Sequence, residues 1–318
     1  MASVVAAPAS GPVAAHRGDR LFGVVLAAAA LAVPLLLGGL LLALLAGAWP
    51  AVQRFGLTFF AGSTWDPVTH EFGALPFIYG TLVSSTLGLS MAVPLGLGVA
   101  IFLSELAPGW LRVPVGFLVE LLAAVPSVVF GLWGIFILVP WVRSVLTPLV
   151  KGALGFLPLF DGPPLGIGML AAGLILAIMV VPFIVAVGTS VMRAVPTTQR
   201  EAALALGATR WETTRRAVLP YARSGIMGAV FLALARALGE TMAVTMVIGN
   251  VPQIKASLLA PAYTIPAVIA NEFTEATSDL YVAALIYTAV ALFIVTVVVN
   301  AAARLLVGRA ARDAVLGE

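Results

Sequence analysis

PTTQREAALALGATRWETTRRAVLPYARSG, Pro196 to Gly225, is a polar stretch set between two long apolar runs. Thr198-x-x-Glu201 has the capping-box spacing, in which a threonine oxygen accepts an orphan N–H at a helix start and the carboxylate reaches back to the cap. The spacing predicts a helix from that point. Gly207 can take the left-handed conformation that ends it. Thr209-x-x-Glu212 repeats the signal for a second short helix, which Leu219-Pro220 is expected to close. The product is a helix-turn-helix knuckle, with Ala202, Ala203, Leu204 and Leu206 supplying small or apolar contact surface. The residues alone leave two uses open: an amphipathic loop resting on lipid headgroups, or a seat for another protein.

Outward from this knuckle the chain is greasy. Of 318 residues 61% are hydrophobic and only 10% charged, the composition of an integral membrane protein. A bilayer core of about 30 Å needs roughly 20 apolar residues. Six runs of that length occur, at about 21–48, 75–103, 113–141, 166–191, 225–249 and 280–306. The expected fold is therefore all-α and polytopic, a transmembrane domain over 19–318 behind a disordered tail at 1–18. The first run is much longer than the roughly 7 to 15 residues of a signal-peptide core, so it reads as a retained helix.

Alternating the loops puts twelve arginines on one side (17, 20, 112, 193, 200, 210, 215, 216, 223, 304, 309 and 312). The other side receives Arg54, Arg143, Lys151 and Lys255. By the positive-inside rule the first side is cytoplasmic, with both termini there and the segment 196–220 facing inward. The basic residues form no compact patch for nucleic acid. With no cysteine, and His16 and His70 the only histidines, the composition offers no thiolate site and no plausible histidine cluster. No G-x-x-x-x-G-K-[ST] phosphate loop occurs, so ATP hydrolysis by that route is not expected in this chain.

Two charges interrupt the fifth run, FLALARALGETMAV, Phe231 to Val244. Arg236 falls near mid-membrane, where a charge costs on the order of 2.5 to 3.5 kcal/mol on insertion scales and faces protein interior or a polar cavity. In a continuous helix Glu240 would share its face. One reading is a self-neutralising pair that glues helices. The other is a guanidinium whose planar fork contacts a passing oxyanion while Glu240 holds it and moderates the attraction. Glu120, a second intramembrane acid, reads as structural: it could snorkel, pair with Arg112 or meet a neighbouring subunit. The Ser/Thr/Gly run from Thr81 to Ser90 reads as a helix-packing face, and Pro94, Pro126 and Pro182 as kinks.

The spacing Glu201-Ala202-Ala203, three residues, Gly207, nine residues, Ala217-Val218-Leu219-Pro220 resembles the signature of permease subunits of bacterial ABC importers. Alanine stands at 217 where that family usually has isoleucine. FFAGSTWDPV (59–68), FGALPFIYGTL (72–82), VELLAAVPSVVFGLWG (119–134) and ALARALGETMAVTMVIGN (233–250) are similar to the PstC-type permeases of phosphate importers.

This resemblance implies a type I ABC importer permease fold in a bacterial cytoplasmic membrane. It implies a coupling role for Glu201, Ala202, Ala203 and Gly207, and partners: a homologous A-type permease, two ATPase subunits holding ATP and Mg, and an extracytoplasmic phosphate-binding protein. Arg236 and Glu240 would line the pathway. Charge alone does not separate phosphate from sulfate or molybdate. A secondary transporter would show a coupling-ion site and inverted repeats, neither of which is evident.

Overall fold

The computed structural model describes the backbone of residues 17–316, with side chains described for residue 18 and residues 20–305. Of the tail expected at 1–18, only the last two residues fall within that range. Among the described residues, six helical stretches are long and apolar enough to cross a membrane. We label α1 Arg17–Phe55, α2 Leu75–Ile101, α3 Gly109–Ala124, α4 Ser127–Leu154, α5 Met169–Arg193, α6 Thr197–Ala205, α7 Arg210–Gly239, α8 Met242–Ile248, α9 Ile265–Glu272 and α10 Asp279–Leu316. Two-residue strands, β1 Trp65–Asp66 and β2 Glu71–Phe72, pair antiparallel between α1 and α2.

The centre of the bundle is the seam between α2 and α5. Small residues let the two backbones approach, because a membrane bundle gains its association energy from close van der Waals packing. A Cβ at Gly88 would lie 2.8 Å from Leu176 Cβ, and one at Gly96 2.8 Å from Ile184 Cβ. From the other helix, a Cβ at Gly188 would lie 3.2 Å from Ala100 Cβ. Thr81, Ser84 and Ser85 are buried along this region. Thr81 Oγ1 donates to the Phe77 carbonyl at 2.7 Å and accepts from Ile265 N–H at 2.9 Å, and Ser84 Oγ donates to the Gly80 carbonyl at 2.6 Å, while Ser85 Oγ is buried without a partner; the run is a packing face.

A second core joins the far part of α1 to α10, α9 and the hairpin. Trp65 meets Phe72 and Phe77 edge-on, with centroids 4.9 and 4.8 Å apart. Glu272 ties the group together: its Oε2 accepts from Trp65 Nε1 at 2.7 Å and from Tyr281 OH at 2.6 Å.

Prolines shape the helices in a way that corrects two expectations. Four wide turns with i→i−5 bonds occur, at Phe102–Leu106, Gly134–Leu138, Val142–Leu146 and Thr214–Val218. Each ends two residues before a proline: Pro108, Pro140, Pro148 and Pro220. Proline lacks an N–H, and its ring clashes with the carbonyl four residues back; at Pro140, Pro148 and Pro220 widening the preceding turn relieves both defects without ending the helix, whereas before Pro108 the chain turns extended at Ala107 and the helix ends. Leu219-Pro220 therefore does not close the second knuckle helix, which runs through the wide turn into α7.

At Pro126 the outcome is more than a kink. Val125 and Pro126 are both extended (ψ 129° and 142°), so α3 and α4 are separate, as the restriction on a residue before proline allows. The run expected at 113–141 is divided there, and the apolar helix continues to Leu154.

Replacing Gly96 by valine should overpack the α2–α5 seam at a cost of about 1–3 kcal/mol. We expect a lowered Tm in detergent. Gly98→Ala, two residues on and on the other side of the helix in open space, should leave Tm unchanged or slightly raised.

Candidate functional site

The fifth apolar run is interrupted where sequence reading makes it continuous. Gly239 ends α7, Glu240 is extended (φ −69°, ψ 127°), and α8 starts two residues later. Glycine brings no side chain to hold the helix, and Glu240 has another use for its carboxylate. Its Oε1 accepts from Ala243 N–H at 3.3 Å, placing negative charge on the positive start of α8. The expected i,i+4 ion pair between Arg236 and Glu240 is therefore absent, since it needs both residues on one helical face.

Arg236 is held by something else. Its guanidinium carbon lies over the Phe183 ring, 4.4 Å from the centroid, a cation–π contact. Its Nε is buried without a hydrogen-bond partner. Phe183 follows Pro182 within α5. Nothing in the sequence marked it, because an aromatic in an apolar helix is ordinarily packing.

The depth of Arg236 follows from the contacts on either side of it. Ala222 packs with Met192 and Ala100 at the basic end of the bundle, while the Val247 carbonyl accepts from Gly168 N–H at 3.0 Å at the other end. Arg236 lies fourteen residues from the first and eleven from the second, near the middle. The interruption between α3 and α4 lies close by. A Cβ at Gly131, one turn into α4, would sit 3.2 Å from Ala243 Cα and 3.3 Å from the Met242 carbonyl, so both broken helices restart side by side. Irregular backbone at membrane depth is tolerated where it is buried in protein or lines a wet cavity.

Glu120 is exposed on α3. Arg112 does not pair with it: Arg112 Nη2 donates to the Ala107 carbonyl at 3.1 Å.

At the basic end, α6 begins at Thr197 behind Pro196, two residues earlier than the Thr198 box requires, and no side chain caps it. Thr198 is thereby inside the first turn, and Glu201 is exposed. The other end matches expectation. Gly207 is left-handed (φ +86°), and the bonds Gly207 N–H to Leu204 O (2.9 Å) and Ala208 N–H to Ala203 O (3.1 Å) form a Schellman ending. The Thr209–Glu212 box is complete: Glu212 N–H donates to Thr209 Oγ1 at 3.3 Å, and Thr209 N–H to Glu212 Oε2 at 2.9 Å. Ala202 is exposed and Ala203 half-buried; Leu206 is 90% exposed, and Leu204 and Trp211 are also bare.

One contact here was not visible in the sequence. Arg200, on α6, grips Glu105 in the wide turn after α2 through two bonds, Nε to Oε2 at 3.0 Å and Nη2 to Oε1 at 2.9 Å. It is the one ion pair among the described residues. Hydrogen bonding to Glu105 raises the pKa of the Arg200 guanidinium.

These features, an inward-turned arginine at a broken helix and a capped apolar knuckle at the basic end, agree with comparison to known proteins. The profile of the family described as "binding-protein-dependent transport system inner membrane component" matches residues 92–312. The chain belongs to that family.

The permease is 50% identical over 295 residues to the phosphate transport system permease protein PstC of Mesorhizobium japonicum, covering 92% of this chain and 90% of the relative. It is 48% identical over 300 residues to the PstC of Xylella fastidiosa, covering 93% and 92%. A probable PstC of Methanocaldococcus jannaschii is 38% identical to the permease over 259 residues, covering 80% of this chain and 82% of the relative. In fold it is similar to a chain of the inward-facing MetNI methionine ABC transporter, with a TM-score of 0.53 at 18% identity over 72% of this chain and 93% of that one. The permease is thus an all-α, multi-pass membrane protein with the ABC importer permease fold.

Removing the Thr209 hydroxyl by Thr209→Ala should cost the start of α7 about 1 kcal/mol. The expected signature is roughly fivefold faster hydrogen exchange at the Glu212 and Thr213 amides, read by mass spectrometry, with exchange in α5 unchanged.

Proposed function

We propose that the chain is the membrane-spanning permease subunit of an ATP-driven importer of inorganic phosphate, forming half of the translocation pathway. The observation that carries this reading is Arg236. It lies near mid-depth beside an interrupted helix, stacked on Phe183, with a guanidinium that makes no hydrogen bond to a described residue. A planar fork of unused donors suits the oxygens of a tetrahedral oxyanion. The starts of α4 and α8 near that depth add a favourable potential for negative charge. The names of the relatives favour phosphate over sulfate or molybdate, which charge alone does not separate.

Glu240 has a different role in this proposal from that of an internal competitor. By capping α8 it fixes the joint at which Arg236 is presented, and its own charge beside the route keeps anion binding weak enough for release. Phe183 holds the guanidinium without using its in-plane donors, so the anion does not have to displace a salt bridge.

The remaining parts follow from the same reading. The basic end faces the cytoplasm, with both termini there. The knuckle residues Glu201, Ala202, Ala203 and Gly207, with bare Leu204, Leu206 and Trp211 around them, dock into one of two ATPase subunits, which hold ATP and Mg. A homologous A-type permease completes the pathway, and a phosphate-binding protein delivers substrate at the opposite face. Glu120, exposed among the apolar residues of the second half of α3, meets a polar group of the partner permease. This chain contributes no hydrolytic step; its work is to present and release the anion as the motor changes state.

Uptake of radiolabelled phosphate by proteoliposomes containing the whole complex tests the proposal. Arg236→Ala should lower uptake by about tenfold to a hundredfold, the worth of about 1.5–3 kcal/mol in charge-assisted hydrogen bonds, with assembly of the complex intact. Normal uptake by that variant sinks the reading. Glu240→Gln, which keeps an acceptor for the Ala243 amide, should transport better than Glu240→Ala; equal losses in the two would remove the capping role.

A further inference from the structure

The helix that carries the knuckle is weakly attached to the rest of the chain. No residue of α6 is buried, and only Arg200 and Ala203 are even half-buried. An element expected to transmit force thus lacks the apolar anchoring that fixes α2 on α5. Its attachment is polar and concentrated in one guanidinium. Besides the two bonds to Glu105, Arg200 Nη1 donates to the Val195 carbonyl at 2.6 Å and Nη2 to the Met192 carbonyl at 2.8 Å. One side chain therefore joins α6 to the end of α5 and, across 95 positions of sequence, to the wide turn at the end of α2.

Its position within the bundle gives this link a consequence. Through the chain alone, a displacement of α6 would reach α5, which precedes it, and α7, which follows. Only the Glu105 contact carries it directly to α2. The wide turn that holds Glu105 is anchored below it, since Leu103 and Ser104 are buried and Ser104 Oγ lies 3.6 Å from Met192 Sδ. The other charge at this cleft, Arg210, is exposed and makes no ion pair among the described residues, which leaves Arg200 as the partner of Glu105.

Resting on the importer reading above, we propose that Arg200 and Glu105 form the latch through which motor-driven movement of α6 is passed to α2. Arg200 is a positioning residue here: it touches neither anion nor nucleotide. A purely local role, capping the carbonyl end of α5, would involve Met192 and Val195 but not the charge of Glu105. That difference makes the two roles separable.

The test uses the complete transporter in proteoliposomes, with phosphate uptake and ATP hydrolysis measured together for wild type, Arg200→Lys, Arg200→Gln, Glu105→Gln and the double variant Arg200→Gln/Glu105→Gln. We expect Arg200→Gln and Glu105→Gln each to lower phosphate imported per ATP hydrolysed by about fivefold or more, the low end of a typical coupling energy. ATP hydrolysis should stay within about twofold of wild type. The double variant should be no worse than Arg200→Gln, because both changes open one link, and Arg200→Lys should fall between.

An unchanged ratio in Glu105→Gln, or additive losses in the double variant, overturns the latch. A second readout separates this from failure of the importer reading. The chain has no cysteine, so a nitroxide on Ala205→Cys reports α6 alone in the purified chain. If wild type imports no phosphate, the importer reading fails, and the latch stands or falls on whether that nitroxide becomes more mobile in both single variants.

Discussion

Two helices that touch backbone to backbone set the register for the rest of this chain. The seam between α2 and α5 exists because glycines at 88, 96 and 188 leave nothing between the helices, and a single added methyl at Gly96 would sit within 2.8 Å of Ile184 Cβ. Both polar devices of the molecule are mounted on this pair. Phe183, on α5, supports Arg236. Glu105, just past α2, and the carbonyls of Met192 and Val195, at the end of α5, receive Arg200. If the seam slips, both arginines lose their partners at once.

The two arginines are treated in opposite ways. Arg200 sits at the edge of the bundle with four acceptors around it, so its desolvation is offset by charge-assisted hydrogen bonds. Arg236 lies deeper and has an aromatic face on one side and a buried, unpartnered Nε. Burying a polar group without a partner is costly, and native structures keep such atoms where a further ligand or water completes them. The difference suits Arg200 to structural linkage, and the substrate role proposed for Arg236 rests on it.

What could be read in advance was whatever depends on local sequence: six apolar runs, the Thr209–Glu212 cap, the left-handed Gly207. The misreadings share a physical origin. Leu219-Pro220 looks like a stop because proline breaks an α-helix, but a wide turn absorbs the defect. The Thr198 cap loses to a start two residues earlier, at Thr197 behind Pro196. The run from Phe231 to Val244 contains no proline, so nothing local announces that Glu240 leaves the helix; its carboxylate binds the next amide ladder instead. Arg200 and Glu105 are 95 residues apart, and only the folded bundle brings them together.

The aromatic group around Glu272 also sets where the chain can bend. There, Trp65 and Tyr281 donate to one carboxylate oxygen, the stacked Phe72 and Tyr281 rings join the hairpin to α10, and the same core takes in Ala48 and Ala51 of α1. At the opposite end a buried apolar cluster of Ala100, Met192, Val195, Val218 and Ala222 holds the long helices, but α6 has no buried residue and hangs there on Arg200. One extremity is therefore held by rings and buried apolar contacts throughout, whereas the other carries a short helix whose footing is a single side chain.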